Sequence, residues 1–284
     1  MKRTGASVML GCLSWLTGAS AAHASQSLTV EQIVERYVQA RGGLEAWHKV
    51  QTMAWAGHIE SGNAAATGTP FIMELQRPDM THFELTVEGQ KSARTYDGRR
   101  GWRVHRAGSG DYEVEDFTPA ELNFAREAFG IDGPLMGYKA NGVAVALEGT
   151  GEVEGHNAYR LNLKYPSGTV HRVWIDAQTF LELRDDRDFK DALGRPGTVS
   201  IYYRQYHEFD GIQIPLVVET GVGPGRISDR TVIEKVAINP PLTAQLFAKP
   251  LFAKHRSVVT VGGGSDNGLP NTGAAQRPGP SGTH

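Results

Sequence analysis

An alternation of apolar and other residues with a period of two runs through the middle of the chain and most constrains its fold. Phe71, Met73 and Leu75 alternate in one such segment, and further short segments follow as far as residues 231–238. Turn dipeptides such as Asp210-Gly211 separate them. Many short strands with close turns indicate an antiparallel barrel or sandwich, and they argue against a parallel α/β sheet. Each segment is about half apolar, which is typical of a sheet with one covered face.

Two longer helices and a short one over residues 44–50 are predicted around these strands. Thr29 followed by Gln32 forms a capping box, and the apolar residues after it fall on one helical face. Gly42 marks the end of this helix, because glycine accepts the left-handed backbone that helix ends require. Thr118-Pro119 begins a second helix that interrupts the strands and extends to Phe129. An unusually apolar loop follows this helix, which indicates that the loop folds onto other parts of the chain.

The N-terminal segment has the pattern of a cleaved signal peptide. Lys2 and Arg3 precede a short apolar run, and Ala22-His23-Ala24 provides a cleavage signal. We predict that residues 1–24 are removed and that the protein is exported to the periplasm. Removal of the two cations changes the formal net charge from −2 to −4. A mildly acidic protein without a basic patch is not typical of nucleic-acid binding.

The single cysteine leaves a second hypothesis for localisation. Cys12 lies inside the predicted signal peptide and follows Gly11, as a lipid-anchored cysteine does. Leu10, however, is bulky where lipidation signals place a small residue. If the segment is cleaved instead, the mature chain has no thiol, and disulfides and thiolate chemistry are excluded.

The remaining chain divides into two parts. Residues 25–255 form the predicted folded domain. Residues 256–284 are rich in glycine, proline and small polar residues, and they hold too little apolar surface to offset the entropy of ordering. We predict that this C-terminal tail is disordered.

Patterns of catalytic residues are absent from the sequence. It contains no His-Glu-x-x-His, no Gly-x-Ser-x-Gly and no Walker loop, so we predict a non-enzyme without cofactor or metal. One alternative is a metal-dependent hydrolase, because His58 with Glu60 and His82 with Glu84 would each share a strand face. His-x-Glu pairs are common by chance on exposed strands, and this alternative is the less favoured.

Large apolar side chains are the strongest remaining signal. Most of them are expected to form a packed core, but a cavity between the sheet and the helices, reached past the loop 134–138, would use the same residues. The residues predicted to line a lipid cavity are Trp55, Phe71, Phe83, Trp102, Phe129, Leu135, Met136, Tyr138 and Trp174.

Five segments resemble the outer-membrane lipoprotein-sorting proteins, the LolA/LolB-like superfamily. Residues 33–47 resemble the opening helix and double glycine of that group, and residues 96–102 its central hairpin. Residues 132–139 resemble the loop after its inserted helix, and residues 209–215 and 238–247 its end. The segments occur in the expected order and span about residues 28–250.

The resemblance implies a curved, incomplete antiparallel β-barrel whose open side is covered by helices. It also implies that the protein holds acyl chains of lipids or lipoproteins in an apolar cavity in the periplasm, in outer-membrane lipoprotein or lipid handling. The alternative is a module of the same fold that binds or senses a protein partner in the envelope. No catalytic residues follow from the resemblance.

Overall fold

A computed structural model describes residues 28–62, 68–108, 110–128, 130–190, 193–223 and 225–251. The predicted signal peptide, the predicted tail and Phe129 lie outside these residues. One compact unit ends at Pro250. The helices of the described ranges are α1 (Val30–Ala40), α2 (Leu44–Lys49), α3 (Pro119–Glu127) and a 3-10 helix, Ala244–Phe247. None of these helices combines the length and the apolar character that a bilayer crossing requires.

Thirteen strands account for most of the described chain. They are β1 (Thr52–Ser61), β2 (Thr69–Gln76), β3 (Met80–Val87), β4 (Gln90–Asp97), β5 (Gly101–Arg106), β6 (Tyr112–Asp116), β7 (Ala144–Val153), β8 (His156–Lys164), β9 (Val170–Asp176), β10 (Glu182–Lys190), β11 (Pro196–Phe209), β12 (Ile212–Val222) and β13 (Asp229–Ile238).

All the strands form one antiparallel sheet in the order β6-β5-β4-β3-β2-β1-β13-β12-β11-β10-β9-β8-β7. Chain neighbours are sheet neighbours within each half, and the pairing of β1 with β13 joins the halves. Strands β6 and β7 stand at the two edges, so the curved sheet is not closed in the described ranges. The predicted incomplete antiparallel barrel is confirmed.

One face of the sheet, here called the inner face, carries α1, α2 and α3. Met53 on β1, Leu161 on β8 and Val173 on β9 belong to the same buried cluster as Ile33 and Tyr37 of α1. Successive side chains of a strand point to opposite faces, so the strand register assigns every strand residue to the inner or the outer face. The main core therefore lies between α1, α2 and the inner face.

Local signals explain where the helices begin. Thr29 accepts a hydrogen bond from the Gln32 backbone, and the Gln32 side chain bonds back to Thr29. Thr118 and Glu121 repeat this capping box at α3. Such reciprocal bonds satisfy amide groups that a helix start otherwise leaves unpaired.

Three of the segments that carry the family resemblance, residues 33–47, 132–139 and 209–215, help to hold the helices and the loop against the sheet. Gly42 ends α1 where its α-carbon meets the backbone of Gly211. Arg77, after β2, bonds Asp132 in the loop and the carbonyls of Trp47 and Val50. These segments therefore have structural roles, which is consistent with their spread along the chain.

The outer face has its own small clusters. Trp174 packs there with Val153, Ala158 and Tyr202, and its indole nitrogen donates to Asp186 over 3.0 Å. Further along the sheet, the 3-10 helix lies against β3 and β4. Large side chains are therefore buried on both faces of the sheet.

Candidate functional site

Eight of the nine predicted lining residues lie in the described part of the chain, where they occupy several places, and Phe129 lies outside it. Trp55, Phe71 and Phe83 lie on the inner face of β1, β2 and β3, where Trp55 pairs with Met73 and Met73 with Phe83. The Phe71 and Phe83 ring centres are 5.9 Å apart. These three residues therefore share one surface.

Trp102 and Trp174 are on the other side of the sheet. Trp174 alternates with Val173 and Ile175, which both face the helices. Tyr96 of β4 is opposite the inner-face residue Thr81 and faces inward, so its neighbour Thr95 faces outward. Trp102 of β5 is opposite Thr95 and therefore faces outward as well. The assignment of these two tryptophans to a cavity with the others is corrected, because strand alternation turns them to the outer face.

The loop residues fill the space that a cavity beneath them would need. Leu135 and Met136 are buried in the main core, and Tyr138 packs against it. A groove of about 360 Å³ remains between α1 and this loop, lined in part by Val34 and Leu135. The loop thus contributes to the core, and we call this remaining space the α1 groove.

A second groove, of about 400 Å³, lies on the inner face of β3, β4 and β5. We call it the β3–β5 groove. Phe83 and Leu85 provide apolar side chains from β3, and Arg94, Arg103 and His105 provide polar ones from β4 and β5. Phe83 is opposite Arg94, and Arg94 is opposite Arg103. Three neighbouring strands therefore place an apolar floor directly beside two guanidinium groups.

Carboxylates neutralise these arginines. Glu121 of α3 accepts hydrogen bonds from Arg94 over 2.8 Å and from Arg103 over 3.1 Å. Glu115 of β6 accepts a third bond, from Arg103 over 2.6 Å. The Thr118 backbone amide, followed by Arg94, lowers the pKa of Glu121 to about 2. The groove is therefore amphipathic, with its charged groups gathered at one side.

Sequence reasoning missed Arg94, Arg103 and Glu121. The predicted hairpin at 96–102 contained part of the signal, because a turn over Asp97-Gly98 that pairs Tyr96 with Gly101 also pairs Arg94 with Arg103. The position of Glu121 depends on how α3 docks on the sheet. Tertiary contacts of this kind leave no periodic pattern in the sequence.

The histidines of the metal hypothesis are not brought together. His58 contacts Glu60 and Glu234 near the junction of β1 and β13. His82 lies on β3, two strands away, and contacts Thr95. A different group in the described ranges, His105 with Glu113 and Glu115, has its ligand atoms within 4.8 Å of one another. Since Glu115 already binds Arg103, we assign this group to the charge network of the groove.

A buried polar cluster lies deeper on the inner face, on β9 and β10. Asp185 is completely buried and accepts a bond from Arg187 over 2.8 Å. His171 is 3.6 Å from Asp185 and 3.1 Å from the Tyr165 hydroxyl. Burial, with a further contribution from Asp185, raises the pKa of Glu182 to about 7.

Glu182 is expected to make stability depend on pH. An acid whose pKa is raised in the folded state binds more protons there than in the unfolded state. The free energy of unfolding therefore falls as the pH rises from the pKa of the unfolded state to about 7. We expect Glu182→Gln to gain stability relative to the unmodified protein between about pH 4.5 and pH 8, by at most about 3 kcal/mol. Urea unfolding of both proteins across this range measures the difference.

The comparison of the two proteins also removes the contribution of His171. Burial lowers its pKa, which gives stability the opposite slope below pH 6.5, but this slope is common to both proteins. A difference between the proteins that does not change with pH would contradict the role of Glu182.

Comparisons with solved structures support the fold. A LolA superfamily protein from Nitrosomonas europaea matches with a TM-score of 0.53 and 12% identity, over 78% of this chain and 99% of that one. A DUF1329 family protein from Desulfovibrio piger matches with a TM-score of 0.51 and 15% identity, over 78% and 98%. A lipoprotein-sorting protein domain from Vibrio parahaemolyticus matches with a TM-score of 0.50 and 13% identity, over 76% of this chain and 94% of that one.

These similarities confirm the resemblance to the lipoprotein-sorting group at the level of the fold. No protein-family model matches the chain, and no curated protein matches it.

Proposed function

We propose that this protein binds acyl chains of lipids or lipoproteins in the periplasm and that the β3–β5 groove is the binding site. The observation that carries the proposal is the row formed by Phe83, Arg94 and Arg103, which places an apolar surface next to two cations on one face of the sheet. An acyl chain with an anionic end has the same two-part character.

The size and the energetics of the groove suit such a ligand. Its volume of about 400 Å³ is within the range of ~300–1,000 Å³ that is usual for small-molecule sites. Each methylene group that leaves water contributes ~0.8 kcal/mol. A few buried methylene groups on Phe83 and Leu85 would therefore give measurable, reversible binding.

The proposed compartment follows from the N-terminal sequence. The order of basic residues, apolar run and cleavage signal in residues 1–24 is that of an exported protein. The fold of the lipoprotein-sorting group agrees with a place in the cell envelope. Release of residues 1–24 during export, measured by mass spectrometry of periplasmic protein, tests this part of the proposal.

Leu85→Asp is expected to weaken the binding of a fluorescent fatty acid at least about tenfold. It places a carboxylate on the floor of the groove, where an acyl chain would have to remove it from water. Ile72→Asp is the matched control: Ile72 lies on the outer face of the adjacent strand β2 and is 41% exposed. We expect the control to bind as the unmodified protein does.

Titration of both variants and the unmodified protein measures these affinities. Equal affinities of Leu85→Asp and Ile72→Asp would show that the fatty acid binds outside this groove. Absence of binding by the unmodified protein would reject the proposed function itself.

A further inference from the structure

The carboxylate of Glu121 is held by both arginines of the β3–β5 groove. One oxygen, Oε1, accepts from Arg94 and from Arg103, and the other, Oε2, accepts from the backbone amide and the hydroxyl of Thr118. A carboxylate of the protein thus occupies the position between two guanidinium groups. Guanidinium groups bind carboxylates and phosphates strongly because their planar N–H groups match such anions.

Apolar packing contributes little to the position of α3. The helix has no buried residue, and its Phe124 is 59% exposed. Its contacts to the groove are therefore mainly polar, through Glu121. Ion pairs of partly exposed groups are weakened by water, which competes for both partners, so another anion can compete with this carboxylate for the two arginines.

The two arginines pair with Glu121 and with one further carboxylate. Arg94 and Arg103 both contact Glu121, and Arg103 also contacts Glu115. If Glu121 moves away, Arg94 loses this carboxylate partner and Arg103 keeps Glu115. An anionic head group can then take the place of Glu121, whereas an uncharged head group cannot form an ion pair with a guanidinium group.

We infer that Arg94 and Arg103 form a head-group site for an anionic amphiphile and that Glu121 occupies this site when the ligand is absent. The inference rests on the proposed function, since the acyl chain of the same ligand lies on Phe83 and Leu85. The head group is a carboxylate or a phosphate, which share the geometry that guanidinium groups recognise. Glu121 therefore competes with the ligand and lowers its affinity.

Glu121→Gln tests this inference without removing the helix cap. Glutamine at this position retains the capping box, so α3 keeps its start, but the negative charge is lost. The probes are dodecanoate, dodecyl phosphate and the uncharged methyl dodecanoate. We expect Glu121→Gln to bind at least one of the two anions about tenfold more tightly than the unmodified protein does, and to bind the ester equally.

The double variant Arg94→Gln, Arg103→Gln tests the opposite direction. We expect it to lose the preference for an anion over the ester while it still binds the ester. Arg172→Gln is the matched control, because Arg172 is a partly exposed arginine on the outer face that bonds Asp188. The control is expected to retain the preference.

The possible outcomes separate the two proposals. Binding of the ester and both anions with equal affinity, unchanged by Glu121→Gln, would overturn the head-group site and leave the acyl-chain site intact. Binding of none of the three probes would overturn both. The relative affinity of the carboxylate and the phosphate identifies which of these anions the site prefers.

Discussion

Gly42→Ala is expected to lower the free energy of unfolding by at least about 3 kcal/mol. The backbone of Gly42 has a φ of +113°, which residues with a side chain rarely adopt. A β-carbon at this position would be 2.1 Å from the carbonyl oxygen of Gly211 and 3.0 Å from the α-carbon of Ile212. The backbone cannot move away easily, because Gln213 next to this point donates to the Arg41 carbonyl.

Gly62→Ala is the control for this substitution. A β-carbon at Gly62 would have open space around it, so we expect a change within about 0.5 kcal/mol. Chemical denaturation of the two variants gives both values. A loss below about 1 kcal/mol for Gly42→Ala would mean that α1 is not fixed against β12 as the structure has it.

Trp102→Ala is expected to cost ~3–5 kcal/mol of stability, which is typical of a large aromatic residue removed from a core. Trp102 is 1% exposed on the outer face of β5. It is opposite Asp116, which bonds Lys249 after the 3-10 helix. The same helix buries Phe247 and lies against β3 and β4. Removal of the Trp102 side chain should therefore also loosen the C-terminal end of the compact unit.

Trp102→Phe separates this structural role from a role in binding. It keeps an aromatic side chain in the outer core, so we expect a folded protein whose affinity for fatty acid is unchanged. Thermal unfolding and ligand titration of the two Trp102 variants provide the measurements. A large loss of affinity for fatty acid in Trp102→Phe, with stability unchanged, would show that Trp102 belongs to the binding site.

Much of the fold follows from local sequence signals. The capping box at Thr29, the helix start at Thr118 and the hairpin over residues 96–102 occur where the sequence predicts them. Alternation predicts strands, and the resemblance to the lipoprotein-sorting group adds the open, curved sheet. These features depend on neighbours along the chain, which one sequence displays.

The candidate site could be predicted only in part. Phe71 and Phe83 share the inner face, where Phe71 alternates with Met73 and Leu75 along β2 and is opposite Leu85, the next inner-face residue after Phe83 on β3. Trp102 and Trp174 also lie in strands, but the face that a strand turns to the helices depends on its register with the neighbouring strand. The partnership of Glu121 with Arg94 depends on the docking of α3, and no local rule specifies it.

The loop after α3 shows a related limit. Its apolar residues correctly indicate that it folds onto the protein, and Leu135 and Met136 are buried. Composition does not distinguish a loop that covers a cavity from one that fills it. The alternative hypothesis of a protein-interaction module stays a prediction, and the open edge strands β6 and β7 are where an added strand would pair.

Photo-cross-linking directly tests whether a fatty acid binds in the β3–β5 groove. A fatty acid with a diazirine in its chain would be bound to the mature protein and irradiated, and the modified peptides would be identified by mass spectrometry. We expect adducts on β3 to β5, around Phe83 and Leu85, that disappear in Leu85→Asp and persist in Ile72→Asp. Adducts confined to the α1 groove, at Val34 or Tyr138, or no specific adduct at all, would contradict it.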